Sequence, residues 1–294
     1  MEPTVFTARP PSSPAPAGDL YLVRMASRAF TGAAGFLADP ANRAQTEEYL
    51  VDLGRPYRRE LSAAVSGHSY AEMAETLIGG LVPAGEPVGL LVLAFDVHDV
   101  RPGQPAAAYL SHVTPGAPLA FAVCDQGTAA PFSGLRIARD YMSSAGIGRA
   151  LLILAEQAAL PYHCPAPLPA RHQGVAMLLG AGRGDARPQA RLAGLRQHPG
   201  TAPADVAGLA DADLAELASA VRQVSLVVSP PLAGLWAGDA ARTRVTPAGQ
   251  PFTGIWRDLA AELARADLVV VADYDPGLRY LCLAGFSPAA RDLR

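Results

Sequence analysis

Residues 119–141, LAFAVCDQGTAAPFSGLRIARDY, pass from an apolar run through a bend of small residues into an amphipathic segment. A strand, a tight bend and a helix in that order can hold a nucleophile at a helix N-terminus, where unpaired N–H groups favour negative charge. The bend carries Gly127 and Thr128, and Cys124 stands a turn too early, with Asp125 and Gln126 between. Thr128 reads either as an acyl acceptor, which needs a base beside it because a neutral hydroxyl is a weak nucleophile, or as a helix cap or small filler. Cys124 reads as an alternative nucleophile, with Asp125 or Gln126 lining the same pocket, or as a small buried hydrophobe at a strand end.

Other reactive residue types carry less. His163, Cys164 and His172 lie in YHCPAPLPARH, whose prolines and missing fourth ligand point to a loop and not to a metal site. His98 and His112 sit near the ends of first-half elements, where either could face the pocket or serve as a satisfied structural histidine, the default reading. GAGRG (180–184) follows a strand without opening a helix, so it lacks the N-terminus a phosphate loop requires. No metal and no cofactor is expected.

The elements that must position these residues read as an α/β protein. PVGLLVLAFD (87–96) is a nearly unbroken apolar run, as a buried central strand requires. APLAFAV (117–123) is expected as a second buried strand, RALLILAEQ (149–157) as the strand after the helix, and 174–180 with 189–197 as a pair of strands. Helices are expected at 71–82, AAAYLSHV, 211–223 and 251–266; strands at DLYLVRM, VSLVVS (224–229), DLVVVADYD and LRYLCLAGF. PFSGLRIARDY (131–141) and PFTGIWRDLAA (251–261) share Pro-Phe-[Ser/Thr]-Gly-[Leu/Ile] at the same place in the same order of elements, which predicts an internal duplication. Proline is tolerated in a first helical turn because that N–H has no intrahelical partner. The glycine after it would let two helices approach closely.

Composition narrows the partners. Of 294 residues only 17% are charged, below the roughly 25% usual in soluble proteins, which suits a surface partly hidden in an oligomer. The net charge of −3 and the absence of a basic run argue against nucleic acid. All 24 Lys and Arg residues are arginine. Three spaced cysteines form no disulfide framework and suggest a reducing compartment. The proline-rich start lacks the layout of a signal peptide, and no apolar run approaches a bilayer span, so a cytoplasmic protein with no membrane partner is expected.

Taken in order, AFAVCDQGTAAPFSGLRIARDYMSSAGIGRALLILAEQ, RHQGVAMLLG and AGQPFTGIWRDLAAEL…DLVVVADYDPGLRYLCLAGF resemble the thiolase superfamily, most of all β-ketoacyl-carrier-protein synthase III-type condensing enzymes. The resemblance is good over residues 85–294 and rests on element order alone over 19–84. It implies a five-layered αβαβα fold built from two duplicated halves, 19–185 and 186–294, behind a flexible lead, 1–18. Enzymes of this family use Cys, His and Asn. Here the nucleophile position falls on Thr128, the His position on Ser229 or Pro230, and the Asn position on Gln250, whose amide could hold a carbonyl oxygen or cap the helix. No histidine follows His198 and the sole asparagine is Asn42, so that triad cannot be assembled. Gly127, Ser229 and Gln250 are then expected to line a substrate pocket with Asp125 and Gln126.

The resemblance therefore implies a catalytically degenerate subunit, partnered by a condensing-enzyme paralogue or by itself as a dimer, with acyl-carrier protein or acyl-CoA nearby, in fatty-acid- or polyketide-type specialised metabolism. Two alternatives stand beside it: an active acyltransferase or condensing enzyme rewired onto Thr128 or Cys124, and a non-catalytic binder of acyl thioesters.

Overall fold

The computed structural model describes residues 19–32, 39–54, 67–101, 103, 105–160, 168–182, 188–239 and 241–289. The lead 1–18, the boundary between 185 and 186, and His163 with Cys164 lie outside the described residues. The first half runs β1 (Tyr21–Phe30), α1 (Pro40–Gly54), α2 (Tyr70–Leu81), β2 (Leu90–Ala94), α3 (Ala106–Val113), β3 (Leu119–Val123), α4 (Ala130–Ala145), β4 (Arg149–Glu156) and β5 (His172–Gly180). The second runs β6 (Ala190–His198), α5 (Val206–Leu217), β7 (Val224–Val228), α6 (Pro230–Ala233), β8 (Thr243–Val245), α7 (Gly254–Glu262), β9 (Leu268–Asp275) and β10 (Tyr280–Pro288).

The strands follow the order β3-β2-β4-β5-β1-β6-β10-β9-β7-β8. Replacing β1–β5 by β6–β10 turns one half of that order into the other. The strand senses repeat too: β2 is parallel to β3 and β4 while β5 is antiparallel to β4 and β1, and β7 is parallel to β8 and β9 while β10 is antiparallel to β9 and β6. The halves join where β1 meets β6 over Tyr21–Arg191 and Leu22–Ala190.

Side-chain alternation along each strand divides the interior into layers. Leu90, Val92 and Ala94 face inward with Leu152 and Leu154, and from the other half Val269, Val271 and Cys282 join the same core around α4 and α7. Leu91 and Leu93 face outward under α2 and α3. Leu226, Val228, Val270 and Ala272 face outward under α5 and α6. Helices, sheet, helices, sheet, helices: that is the five-layered arrangement. The middle layer is closed by Phe132 of α4 and Trp256 of α7, ring centroids 4.8 Å apart, with Phe286 edge-on to Trp256 at 6.5 Å.

Several expectations are corrected. Residues 119–123 do form a strand, but β3 is the outermost strand of the order and Leu119 is 54% exposed, so it is an edge and not a buried strand. The segments at 174–180 and 189–197 are both strands, but β1 lies between them, because β5 pairs with β1 over its whole length. The helix expected from residue 211 begins at Val206 and ends at Leu217, placing Asp211 and Asp213 mid-helix, where they accept hydrogen bonds from Trp236 Nε1 and face His198 Nε2 at 2.7 Å. Gly134 brings α4 close to the sheet and not to another helix, since a Cβ there would press on Leu152 and Val92.

Trp256 is fully buried at the junction of both halves. Trp256→Ala is expected to lower the unfolding free energy by about 3–5 kcal/mol, measured by denaturant titration followed through circular dichroism.

Candidate functional site

The bend after β3 is strained. Asp125 has φ +58° and Gly127 φ +50°, both in the left-handed region, which a side chain disfavours. Gly127 is needed on a second ground, because a Cβ there would collide with the Asp275 carboxylate. Gly127–Ala129 then form one turn of 3₁₀-helix leading into α4, with Pro131 in its first turn. The Thr128 N–H donates to Asp275 Oδ2 at 3.0 Å, and Leu278 N–H donates to Asp275 Oδ1 at 2.9 Å.

Beneath the elbow lies a polar row laid down by register. Gln197 of β6, Cys282 of β10 and Asp273 of β9 are successive cross-strand partners, so their side chains share the inner face. Gln197 Nε2 donates to Ser133 Oγ at 3.2 Å and lies 3.9 Å from Cys282 Sγ. Asp273 is 2% exposed, and burial raises its carboxyl to about 6 against the opposing pull of the Ser229 and Thr128 hydroxyls. Those hydroxyls stand near enough to favour its charge, but neither closes a well-formed bond: Thr128 Oγ1 and Asp273 Oδ1 are both buried without a partner. Burial, then the charge of Asp273, holds the Cys282 thiol far above its ordinary value.

Cys124 is not activated. Burial first, then the thiol's own hydrogen bond to Asp125 Oδ2 at 3.3 Å, raises its pKa, so it stays a thiol at neutral pH. Asp96, at the end of β2, is open to solvent on one side and walled by protein on the other; lost hydration, then Asp275 and Asp125, raise its carboxyl.

Gln250 is carried elsewhere. Its Nε2 donates to Glu156 Oε1 at 2.6 Å and to the Arg171 carbonyl at 3.3 Å. The same Glu156 carboxylate accepts the N–H groups of Phe252 (3.1 Å) and Thr253 (3.2 Å) and the Thr253 hydroxyl. Glu156 thus satisfies the donors ahead of α7, whose own N-cap, Thr253, makes no side-chain cap. Burial raises the Glu156 carboxyl while these donors draw it back down.

The fold therefore brings Thr128 and Ser229 together on Asp273, sets Asp125, Gln126 and Gly127 in the bend above, and holds Gln250 on Glu156. Ser229 also caps α6 through Leu232 N–H at 3.4 Å. Sequence reasoning missed Asp273, Asp275, Glu156 and Asp96. Their signal was there: each is an acid closing a long apolar strand, and 273 and 275 fall on one face. His172 accepts the Ala158 N–H at 3.2 Å through Nδ1 and packs edge-on to His68, a structural arrangement. Among the described residues no three His, Cys, Asp or Glu side chains converge to hold a metal, and no helix is long and apolar enough to cross a membrane.

No protein-family model and no curated protein matches the chain. Solved structures do. A tetronic acid condensing enzyme, AbyA1, superposes with TM-score 0.62 at 15% identity, covering 91% of this chain and 99% of that one. The 3-oxoacyl-[acyl-carrier-protein] synthase III of Aquifex aeolicus gives 0.58 at 12%, covering 91% and 99%. The ishigamide ketosynthase/chain length factor gives 0.56 at 17%, covering 75% and 80%. The chain has the thiolase-like fold of synthase III-type condensing enzymes, in two duplicated halves.

A carboxyl that holds its proton more tightly when folded supports folding below its ordinary 3.8 and loses that support as pH rises toward about 6. The loss amounts to about 3 kcal/mol. Asp273→Asn is expected to match the wild type near the lower end of that window and to exceed it in stability above the upper end, measured by denaturant midpoints across pH.

Proposed function

We propose that this chain is the non-catalytic partner subunit of a condensing enzyme that handles acyl thioesters in fatty-acid- or polyketide-type metabolism. One observation carries the reading: the Asp275 carboxylate accepts the Thr128 N–H. An elbow stabilises a tetrahedral intermediate by aiming free donors at the place where negative charge develops. Here that donor is spent on an anion of the protein's own, with Asp273 beneath it and Asp96 and Asp125 around it. Claisen chemistry at this position would build a second negative charge against the first. The cysteine nearby is a thiol, no histidine follows His198, which is held on Asp213, and the sole asparagine is Asn42 in the first half.

The edge strand β3 supports the partner. LAFAV presents unpaired backbone groups along a strand whose Leu119 is exposed and whose Phe121 rests against Tyr141 at 5.9 Å, itself 41% exposed. An apolar edge of this kind is a template for another strand. The charged edge β8, TRV, is its opposite in the repeated half and offers no such face. A second subunit paired along β3 would place its own elbow close to this one, as a paralogue with intact Cys and His requires. One of the matching structures is named as a ketosynthase/chain length factor, which is consistent with a condensing enzyme of two components.

A rewired acyltransferase is the second reading, favoured by the buried Asp273 carboxyl lying against the Thr128 hydroxyl in the position of a general base. Intact-protein mass spectrometry after incubation with acyl-CoA separates the two. The partner-subunit reading expects no covalent adduct; an adduct lost in Thr128→Ala overturns it. Phe121→Asp is expected to release the chain from its dimer in multi-angle light scattering, with Thr128→Ala leaving the mass unchanged.

A further inference from the structure

We infer that a cleft at the end of β7 and β8 remote from the elbow binds a small organic carboxylate, held by Arg242, Arg244 and Arg265. The cleft opens where β7 and β8 begin and α7 ends, and its volume is about 420 Å³. Small-molecule sites run to about 300–1,000 Å³. Val224, Ala241 and Ala266 give it an apolar wall beside the three arginines. The elbow stands against Asp275, at the other end of β9, which runs parallel to β7.

The duplication shows that the fold does not require charge at this corner. Register sets Arg244 beside the inward-facing Val227 and, in the first half, Phe121 beside the inward-facing Val92. Two residues before those valines stand Ser225 and Leu90. On the helices, the shared Pro-Phe-[Ser/Thr]-Gly register aligns Asp258 with Ala138 and Glu262 with Met142. The first half therefore closes its corner with Leu90, Phe121, Ala138 and Met142, all in the middle core or packed against it. The second half has Ser225, Arg244, Asp258 and Glu262 there, next to an open cleft. Replacing a buried ion pair by packed apolar groups is often neutral or stabilising, so stability alone does not account for the charged set.

The charges are arranged to present guanidinium groups. Asp258 and Glu262 are only 5% and 7% exposed. Arg244 Nε donates to Asp258 Oδ2 at 3.0 Å and its Nη1 to Glu262 Oε1 at 3.5 Å. Glu262 also accepts Arg265 Nη1 and Ser225 Oγ, each at 2.9 Å, and Asp258 accepts Arg257 Nε at 2.9 Å. The two buried carboxylates are thus occupied and serve as anchors, while the arginines keep donors to spare. Arg242 spends Nε on Asp239 at 3.2 Å, Arg265 spends Nη1, and Arg244 retains Nη2. Within these pairs Arg242, Arg244, Arg257 and Arg265 meet Asp239, Asp258 and Glu262, which leaves one positive charge over. Asp267, which accepts the Gln223 N–H at 3.3 Å on the rim, is offset by the exposed Arg222. One excess charge and planar forks match a carboxylate, with its single charge and two coplanar oxygens. A phosphate dianion would bring a second charge with nothing to meet it. The inference does not depend on the chain being a partner subunit.

Calorimetric titration of the full chain with sodium butyrate at about pH 7, where a carboxylic acid is ionised, tests it. Sodium chloride at equal ionic strength and butyramide serve as controls. A saturable heat with butyrate alone is expected, weakened at least about tenfold when Arg242→Ala and Arg265→Ala are combined. Those side chains are 53% and 66% exposed, so the double variant keeps the fold, as its melting curve verifies. A second variant copies the first-half corner: Ser225→Leu, Arg244→Phe, Asp258→Ala and Glu262→Met together are expected to abolish the heat in a folded chain. No saturable heat, an equal response to butyramide or chloride, tighter binding of inorganic phosphate than of butyrate, or unchanged binding in either folded variant overturns the inference.

Discussion

Two acids at the ends of central strands hold the halves of this molecule to each other. Glu156, closing β4 of the first half, satisfies the donors ahead of α7 in the second. Asp275, closing β9 of the second half, holds the Thr128 N–H ahead of α4 in the first, across 147 residues of chain. Each half thus caps the buried helix of the other. Buried helix N-termini leave N–H groups that need acceptors, and neither α4 nor α7 has a capping side chain of its own. The middle layer exists because these reciprocal carboxylates let two helix starts be buried face to face, with Phe132 and Trp256 filling the space between.

The same exchange sets the character of the elbow. The duplicated fold brings the bend after β3 and the end of β9 to one place, and in this chain that end carries two acids, Asp273 and Asp275, the second of which takes the Thr128 N–H. The left-handed backbone at Asp125 and Gly127 shapes the bend that receives it.

Much of this could be read from the residues in order. The unbroken apolar run at 87–96 gave a central strand because a strand buried on both faces has no polar side. The echo between residues 131–135 and 251–255 pointed to the duplication that the strand order bears out. Where the reading erred, neighbours decided. LAFAV is as apolar as LLVLA, and nothing local distinguishes an edge from a centre, since that depends on which strand lies alongside. The pairing at 174–180 and 189–197 failed for the same reason: β1, from the start of the chain, inserts between them. Gln250 could be placed at a helix start, but its partner Glu156 lies 94 residues away.

The sequence by itself determined the kinds of element, their order and repetition, and what the site lacks, because periodicity is local and absence needs no coordinates. That no histidine follows His198 and that Asn42 is the sole asparagine are read from the residues alone. What stands there instead was decided only by tertiary structure. Cross-strand register sets Asp273 in line with Cys282 and Gln197 and under Thr128, and the strand's two-residue period puts Asp275 on the same face, against the elbow. Register is a relation between distant segments, so the charge that redefines the site appears only when both halves are folded together.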